Sequence, residues 1–575
     1  MVRSLRMRFA VATAVVLAGG AALAGASTAK NAPNKLDKIN HIVVIYEENH
    51  SFDNLYGGWE GVNGIANADP AHTIQRNQAG VPFSCLKQND VNLTSPPLTS
   101  TCTDNTTSKA FSSAFPNAPF LIDSFIAPSD TTCPKPNGAF AAHGFLKGTG
   151  LPGGCTADIV HRFYQEQYQI DGGRQDRYVT GSDAVGLAMG RYDTRALPIY
   201  EYLHSNGAPH YAIADNFFQG AFGGSFLNHQ VLIAGQPPVF AGALNDGSTN
   251  DLHSVVDANG MPNNYPLYTS PLTSHVKDKA LTASCSPPAG VPATPAGVVC
   301  GDYAVNTIQP WYWPFSPGTA DPLRLPPLPS TTPNIGDELS AKGVAWAWYA
   351  GGWSNADGDV GAPGWTNGSG PNCSDPDAKS GSVFPRCPDV NFQYHHQPFN
   401  YYAAYAPGTA ARAAHLKDEA EFIANANASS SSCRLKQVNF VKPVGEENEH
   451  PGYTSEVRGS DHLVALLKAI EGSTCAKDTM VIVTYDEFGG QWDHVPPPGP
   501  GSLTAGPYDR WGPGTRVPAL IVTPGLPGNF VVDHTEHDTL SILSTIERRF
   551  DVAPLVGRDR TEADLSSVYE AKQAH

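Results

Sequence analysis

The stretch HIVVIYEENHS, residues 41–51, decides the fold of this chain. Its first six residues are largely apolar and rich in β-branched side chains, which predicts a buried strand, and the run then breaks abruptly into polar residues. A second stretch of the same design, MVIVTYDEFGG, occupies residues 480–490. Each stretch therefore predicts a strand that delivers acidic side chains at its carboxyl end.

Further strands and helices are indicated elsewhere in the chain. Residues 516–523 and 343–349 have the composition of buried strands, whereas residues 462–470 and 538–550 have helical periodicity. Strands that alternate with helices are typical of an α/β protein with a largely parallel sheet. The sites of such proteins lie at the carboxyl ends of the strands.

The composition restricts the possible functions. Of 575 residues, 41% are hydrophobic and 16% are charged, so the chain can bury enough apolar surface to fold and is not intrinsically disordered. The formal net charge is −17, and no run of lysine and arginine occurs, which argues against a nucleic-acid partner. If the substrate is anionic, positive charge must be supplied locally.

The amino terminus indicates export. Residues 1–8 carry arginines and no acidic residue, and residues 9–26 are uncharged, largely apolar and end in small residues. This pattern predicts a signal peptide over residues 1–26 and a secreted or periplasmic protein without stable membrane insertion after cleavage. The alternative is an uncleaved membrane anchor.

Ten cysteines follow this segment, and an even number in an exported chain predicts disulfides. Two stretches rich in proline, glycine, serine and threonine, about residues 80–155 and 240–333, are interpreted as disulfide-tied loop insertions in one domain. Connectivity cannot be deduced from sequence, but short loops close most easily. We therefore predict pairing between chain neighbours: Cys85 with Cys102, Cys133 with Cys155, Cys285 with Cys300, Cys373 with Cys387, and Cys433 with Cys475.

The polar residues after the two main strands suggest a metal site. Glu47, Glu48 and Asn49 follow the first strand, and Asp486 and Glu487 follow the second. Carboxylates that meet at one sheet edge repel each other, and a divalent cation relieves that repulsion. The simpler alternative is that they are ordinary turn residues, but their paired occurrence favours a metal.

A serine and several histidines are further candidates. Ser225 follows two glycines, which permit a tight turn with the hydroxyl projecting from it. His450 and the pair His395 and His396 could act as general acids or as donors to phosphate oxygens. Alone, each feature is more often structural.

Taken together, five strings resemble the bacterial phosphoesterase family of secreted acid phosphatases and phospholipases C. They are ENHSFDNLYG (48–57), HRFYQEQYQIDGG (161–173), MGRYD (189–193), DNFFQGAFGGSFLNH (215–229) and YDEFGGQWDHVPPP (485–498). The resemblance runs from about residue 40 to 555. It implies an alkaline-phosphatase-like α/β/α sandwich, with residues 27–575 forming one catalytic domain and a metal bound at the sheet edge.

The resemblance also implies roles for individual residues. One divalent metal ion, of unknown identity, would be held by Glu48, Asn49, Asp486 and Glu487, the last standing where a second aspartate also occurs in the family. Ser225 would be the nucleophile and would form a phosphoserine intermediate. Histidines that contact phosphate or protonate the leaving group fall on His161, His396 and His450, with His395 as an alternative to His396, and His494 lies in a matching motif.

The resemblance leaves the substrate open between two kinds of phosphate ester. The segment around Ser225 is similar to the acid phosphatases, and the chain ends soon after residue 550, without the additional β-domains of many phospholipases. We therefore expect hydrolysis of small phosphate monoesters, with phospholipase C activity as the alternative. A non-catalytic secreted binding protein is the competing class, but it leaves the carboxylates at the sheet edge unexplained.

Overall fold

A nine-stranded sheet forms the centre of the computed structural model, which describes residues 35–89, 98–127, 129–130, 154–237, 255–257, 259–261, 264–271, 276–277, 327–555 and 557–573. In chain order its strands are β1 (His41–Glu47), β2 (Tyr211–Ala214), β3 (Trp346–Ala350), β4 (Leu416–Asp418), β5 (Val438–Lys442), β6 (Thr479–Tyr485), β7 (Ala519–Val522), β8 (Phe530–Asp533) and β9 (Lys572–Gln573).

The sheet is largely parallel, as predicted. Its strand order is β4-β3-β5-β1-β6-β7-β2-β8-β9, and only β7 and β9 run antiparallel to their neighbours. β1 pairs with β6 in parallel along its whole length, from His41 opposite Thr479 to Glu47 opposite Tyr485. The two acidic segments that follow these strands are therefore neighbours at one edge of the sheet.

Helices cover both faces of the sheet. β1 is buried from Ile42 onwards and β6 throughout, which requires packing on each face. One group packs Pro198–Leu203, Glu419–Asn427 and Glu456–Glu471 together, and another packs Ser225–Ala234 with Ile335–Lys342 and Thr539–Phe550. The α-helices in the described ranges are α1 (Phe52–Leu55), α2 (Pro70–Thr73), α3 (Phe163–Ile170), α4 (Pro198–Leu203), α5 (Ser225–Ala234), α6 (Ile335–Lys342), α7 (Trp353–Asp357), α8 (Ala410–His415), α9 (Glu419–Asn427), α10 (Glu456–Glu471) and α11 (Thr539–Phe550).

Side-chain caps set where the two predicted helices begin. α11 starts where expected, because Asp538 accepts a hydrogen bond from the backbone of Leu540 and forms a capping box with Ser541. α10 starts at Glu456, before the predicted residue 462, because the Ser455 side chain caps its first turn. The predicted segment is the part of this helix that carries most of its apolar face.

Two predicted strands are shorter than expected. β7 begins at Ala519 rather than at residue 516, because Pro518 has no N–H for the ladder and Arg516 turns its side chain into a buried cluster of charges. β3 begins at Trp346 rather than at residue 343. Gly343 instead ends α6 in a left-handed conformation, with a φ of 74°.

Three of the predicted disulfides are present: Cys85–Cys102, Cys373–Cys387 and Cys433–Cys475. Cys155 is also disulfide-bonded. The predicted partners Cys133, Cys285 and Cys300 lie outside the described residues. In the first predicted insertion, the Cys85–Cys102 bridge ties the chain to a short hairpin formed by Cys102–Asp104 and Phe111–Ser113.

The predicted signal peptide, residues 1–26, lies outside the described residues, and export stays a prediction. Among the residues that are described, no helix combines the length and the apolar character needed to cross a membrane.

Candidate active site

The ends of β1 and β6 place two pairs of polar residues side by side. Glu48 and Asn49 follow β1, Asp486 and Glu487 follow β6, and all four are fully buried. Asn49 has a φ of 60°, a left-handed conformation that asparagine adopts more readily than most residues. Its backbone N–H donates to Asp486 Oδ1 at 3.2 Å, so the two strand ends are joined directly.

Glu47 and Glu48 face opposite sides, because successive strand residues alternate. Glu48 faces Ser225, whereas the charged neighbours of the Glu47 carboxylate include Glu449 and His462. Of the two consecutive glutamates, Glu48 is therefore the one that belongs to the candidate site.

Ser225 is the first residue of α5 and projects from a fixed turn. Gly223 has a φ of 95°, and a Cβ there would lie only 2.6 Å from the backbone nitrogen of Phe163. The N–H of Gly223 donates to Glu166 Oε2 at 2.5 Å. This position thus requires glycine both for its conformation and for the close approach of α3.

The hydroxyl of Ser225 lies among the predicted metal ligands. Its Oγ is 3.1 Å from Glu48 Oε2, 3.4 Å from Asn49 Oδ1 and 3.4 Å from Glu487 Oε1. The residue is 9% exposed, so the hydroxyl is at the boundary between the protein interior and solvent.

The hydrogen bonds of His450 determine how the Asn49 amide is oriented. Burial is the main cause that lowers the pKa of His450 to about 4, so its ring is neutral at pH 7. Its Nδ1 donates to the carbonyl of Pro451 at 2.7 Å, which leaves Nε2 as an acceptor. Asn49 Nδ2, 3.2 Å away, therefore donates to His450.

In this orientation three acceptor oxygens converge. Asn49 Oδ1 lies 2.9 Å from Glu48 Oε2 and 2.8 Å from Glu487 Oε1. Turned over, the amide would donate to both carboxylates, but it would then meet His450 with its oxygen. Oxygens that face one another at such distances are stabilised by a cation between them, so these residues fit a divalent metal ion.

Asp486 adds a carboxylate to the same cluster. Its Oδ1 accepts from the backbone N–H of Glu487 at 2.8 Å, whereas its buried Oδ2 has no hydrogen bond within the described part of the chain. Burial, followed by the negative charge of Glu48, raises the pKa of Asp486 well above its usual value. A bound cation would relieve both effects.

His161 lies beside Ser225 and contacts Glu487. Its Nδ1 donates to the carbonyl of Ile159 at 2.5 Å, and its Nε2 is 3.0 Å from Glu487 Oε1. Burial alone would lower the pKa of His161, but the charges of Glu487 and Asp158 raise it to about 10. The ring is therefore an imidazolium at neutral pH when the carboxylate beside it is free.

The structure distinguishes the two adjacent histidines left open by the sequence. His396 Nε2 is 2.6 Å from Glu48 Oε1, whereas His395 packs edge-on against the rings of His229 and His396. Neither ring nitrogen of His395 has a hydrogen-bond partner among the described residues. His396 is thus the histidine in contact with the predicted ligands.

Two residues of the site were not predicted. Lys442, the last residue of β5, places its Nζ 2.6 Å from Glu48 Oε1. His229, one turn along α5 from Ser225, places its Nδ1 3.7 Å from Asp486 Oδ2. The signal for Lys442 was a lysine at the end of the apolar run VNFVK, the same strand-end pattern that identified Glu48.

His494 lies apart from these residues, in a buried cluster of charges. Its Nδ1 contacts Asp53 Oδ2 at 2.5 Å, and Arg516 contacts both Asp53 and Asp493, at 3.1 and 3.0 Å. The backbone N–H of Asp53 also donates to Asp493. This Arg516 cluster (Asp53, Asp493, His494 and Arg516) joins the segments that follow β1 and β6.

The fold places this chain among the α/β proteins, which build their sites at the carboxyl ends of parallel strands, where the polar residues described above lie. The particular family follows from the sequence. Residues 39–553 match the model of the Phosphoesterase family, and the chain belongs to that family. The predicted family is thereby confirmed.

Curated relatives are phospholipases C. The chain is 32% identical to phospholipase C B of Mycobacterium tuberculosis over 155 residues, which is 24% of this chain and 30% of that protein. Phospholipase C A of the same organism is 23% identical over 567 residues, covering 93% of this chain and 78% of the relative. A non-hemolytic phospholipase C of Burkholderia pseudomallei is 32% identical over 20% of this chain and 19% of its own length.

Solved structures overlap with this chain only weakly. A protein of the alkaline phosphatase superfamily from Vibrio parahaemolyticus gives a TM-score of 0.20 at 16% identity, over 40% of this chain and 50% of that one. Murine ectonucleotide pyrophosphatase/phosphodiesterase 5 gives a TM-score of 0.28 at 10% identity, over 65% and 94%. Overlaps of this size carry no argument about activity.

Proposed function

We propose that this chain hydrolyses phosphate monoesters, with Ser225 as a nucleophile that is phosphorylated and then freed by water. The observation that carries the proposal is the position of Ser225 Oγ, 3.1 Å from Glu48 Oε2 and 3.4 Å from Glu487 Oε1, at the first residue of α5. The amino terminus of a helix favours an incoming phosphate, because its free N–H groups carry partial positive charge.

Glu48, Asn49, Asp486 and Glu487 would hold one divalent metal ion. When bound, such an ion supplies the positive charge that activates a serine hydroxyl and neutralises phosphate oxygens. The donor set of carboxylates and one amide carbonyl suits a hard or borderline cation.

The other steps of the reaction are assigned to individual side chains of the site. Ser225 Oγ loses its proton to solvent and bonds to phosphorus while the bond from phosphorus to the ester oxygen breaks, and the departing oxygen takes a proton. We assign that proton to His161 Nε2, because its ring is held in place by the hydrogen bond from Nδ1 to Ile159 and Nε2 lies beside Glu487 at the site. His396 and His450 orient Glu48 and Asn49 and are candidates for contacts with phosphate oxygens.

Charge favours the monoester over the diester. A phosphate monoester carries up to two negative charges near neutral pH and needs more cationic partners than a diester. The predicted metal ion and the imidazole of His161 beside Glu487 would supply that charge. The names of the relatives favour the second candidate, phospholipase C, which would use the same nucleophile on a head-group diester.

The nucleophile is tested with Ser225→Ala. We expect turnover to be lost while the metal content and the thermal unfolding midpoint are retained, and acid quenching of the wild type should trap phosphate on the peptide that holds Ser225. Ser205→Ala, at an exposed serine, is the matched control and should keep full activity. Phosphate trapped on a different peptide would reject Ser225 as the nucleophile.

The substrate is tested by comparing kcat/KM for p-nitrophenyl phosphate and p-nitrophenylphosphorylcholine. That ratio measures the difference in transition-state binding between monoester and diester. A higher value for the choline diester would replace the monoesterase proposal by phospholipase C and leave the nucleophile unchanged.

The proposal includes export. Residues 1–26 would be removed as a signal peptide, and residues 27–575 would act as one secreted or periplasmic catalytic domain. The disulfides support an oxidising compartment. Amino-terminal sequencing of the protein recovered from the native host should begin near residue 27, whereas a sequence that begins at Met1 would contradict cleavage.

A further inference from the structure

Lys442 is a fully buried cation at the end of β5. Its Nζ lies 2.6 Å from Glu48 Oε1, donates to the backbone carbonyl of Glu47 at 3.0 Å, and is 5.4 Å from the ring centre of Tyr46. A lysine is almost never fully buried unless its charge is paired. Here the partner is a predicted metal ligand.

Glu48 uses its two oxygens for different purposes. Oε1 is 2.6 Å from both Lys442 Nζ and His396 Nε2, whereas Oε2 faces Ser225 and Asn49. Lys442 and His396 therefore fix which oxygen is presented to the nucleophile and the predicted metal ion.

A second group of potential metal ligands lies on the Lys442 side of Glu48. Glu48, His229 and His396 each offer one ligand atom, and these atoms lie within 4.8 Å of one another. The rings of His229 and His396 are nearly parallel, with centroids 5.4 Å apart. One carboxylate with two imidazoles is a donor set that suits zinc.

His229 is prepared for such a role by its own hydrogen bonds. Its Nδ1 lies 2.8 Å from the backbone carbonyl of Ser225, and donates there. Its buried Nε2 keeps a free lone pair, with no hydrogen-bond partner among the residues described. The ammonium group of Lys442 nevertheless already occupies the contact with Glu48 Oε1.

The charges agree with this arrangement. Lys442 already offsets one of the negative charges of Glu48, Asp486 and Glu487, at the Glu48 oxygen that a second ion would need. We propose that Lys442 is a built-in cation that takes the place of a second metal ion, limiting the site to one ion and presenting Glu48 Oε2 to Ser225. This inference rests on the metal site of the proposed function, and it makes Lys442 a positioning residue.

The test measures how many ions the full chain binds. Wild type, Lys442→Met, Lys442→Gln and Lys442→Arg are saturated with Zn²⁺, freed of excess metal and analysed for zinc per chain. We expect one ion for wild type and Lys442→Arg, and two for both neutral variants. Lys442→Gln is included because it keeps a donor for the Glu47 carbonyl should the methionine variant not fold.

A second measurement identifies the ligands of the additional ion. With Co²⁺ in place of Zn²⁺, Lys442→Met should gain a visible absorption band from imidazole coordination, and Lys442→Met combined with His229→Gln should lose it and bind one ion. A merely structural lysine would change neither the stoichiometry nor the band.

The outcomes separate this inference from the proposed function. If wild type binds one ion and the neutral variants also bind one, the inference about Lys442 is wrong and the proposed function is unaffected. The same holds if wild type binds two ions. Wild type that binds no ion overturns both the metal site of the proposed function and this inference.

Discussion

Arg516→Met should destabilise the protein strongly, although Arg516 lies outside the candidate site. Its side chain is fully buried, with Nε 3.0 Å from Asp493 Oδ1 and Nη2 3.1 Å from Asp53 Oδ1. Its Nη1 also donates to the backbone carbonyls of Asn63 and Asp215 at 2.7 Å. Methionine has a similar length and no charge, so the substitution leaves two buried carboxylates without their cation.

The size of the effect follows from these contacts. Removing one partner of a buried ion pair costs about 3–5 kcal/mol, because the remaining charge is uncompensated. The two backbone carbonyls would also lose their donor, which places the expected loss towards the upper end, about 5 kcal/mol. Since native proteins are stable by only about 5–15 kcal/mol, this is a large share of the total.

Urea unfolding followed by tryptophan fluorescence measures the loss. The midpoint should fall well below that of wild type, and adding Asp493→Asn to Arg516→Met should recover part of it by removing one uncompensated charge. Arg174→Met is the matched control, because Arg174 pairs with Asp171 while 60% of its side chain is exposed, and it should cost less than about 1 kcal/mol. If the two single variants unfold at the same urea concentration, the cluster does not stabilise the fold as argued.

Three further results are expected. Asp486→Asn should lose bound metal and turnover, yet leave the thermal midpoint of the metal-free protein unchanged or raised, because it removes repulsion with Glu48. At Asp533, hydrogen bonds from His537 and neighbouring hydroxyls outweigh burial and lower the pKa to about 2. Its contribution of about 2 kcal/mol is thus present above the ordinary value near pH 4 and is lost as the pH falls towards 2, a loss that Asp533→Asn should abolish in acid unfolding curves. Replacing Cys433 and Cys475 by serine should cost about 4 kcal/mol, against about 3 for the shorter Cys373–Cys387 loop, since the closed loops span 42 and 14 residues.

Each of these results can fail separately. Full metal content in Asp486→Asn would remove it from the ligand set. If Asp533→Asn loses stability below pH 4 in the same way as wild type, other carboxylates cause that loss. Equal urea midpoints for the two disulfide variants would contradict the dependence on loop length.

The residues of the candidate site that could be predicted from sequence are those that directly follow a buried strand. The strand-end pattern predicts a group of polar residues, because β1 and β6 are apolar runs that end abruptly, and the family resemblance selects four of them as ligands: Glu48, Asn49, Asp486 and Glu487. That pattern depends only on neighbours in the chain. The conclusion that the two strands are adjacent required the sheet, because the register between β1 and β6 joins residues far apart in sequence.

The strand-end pattern also contains Lys442, but its contact with Glu48 could not be predicted from that pattern. Its strand is recognisable, but its function depends on β5 lying next to β1, and sequence order does not specify the order of strands in a sheet. The choice between His395 and His396 likewise depends on which ring faces Glu48. Helix α10 was placed six residues late because a serine side chain, rather than the apolar pattern, begins it.

The alternation at the end of β1 has a consequence for protein engineering. Glu47 and Glu48 are identical residues on opposite faces, and the pairing with β6 determines which of them meets Ser225. Deleting one residue within β1 would move every residue after the deletion back by one position, so Glu48 would take the place of Glu47 and Asn49 that of Glu48, and the carboxylate that faces Ser225 would be lost. The apolar residues between the deletion and the end of the strand would also exchange faces. Insertions and deletions in β1 should therefore disrupt the site and the core. Substitutions that keep each apolar side chain on its present face of the strand should be tolerated.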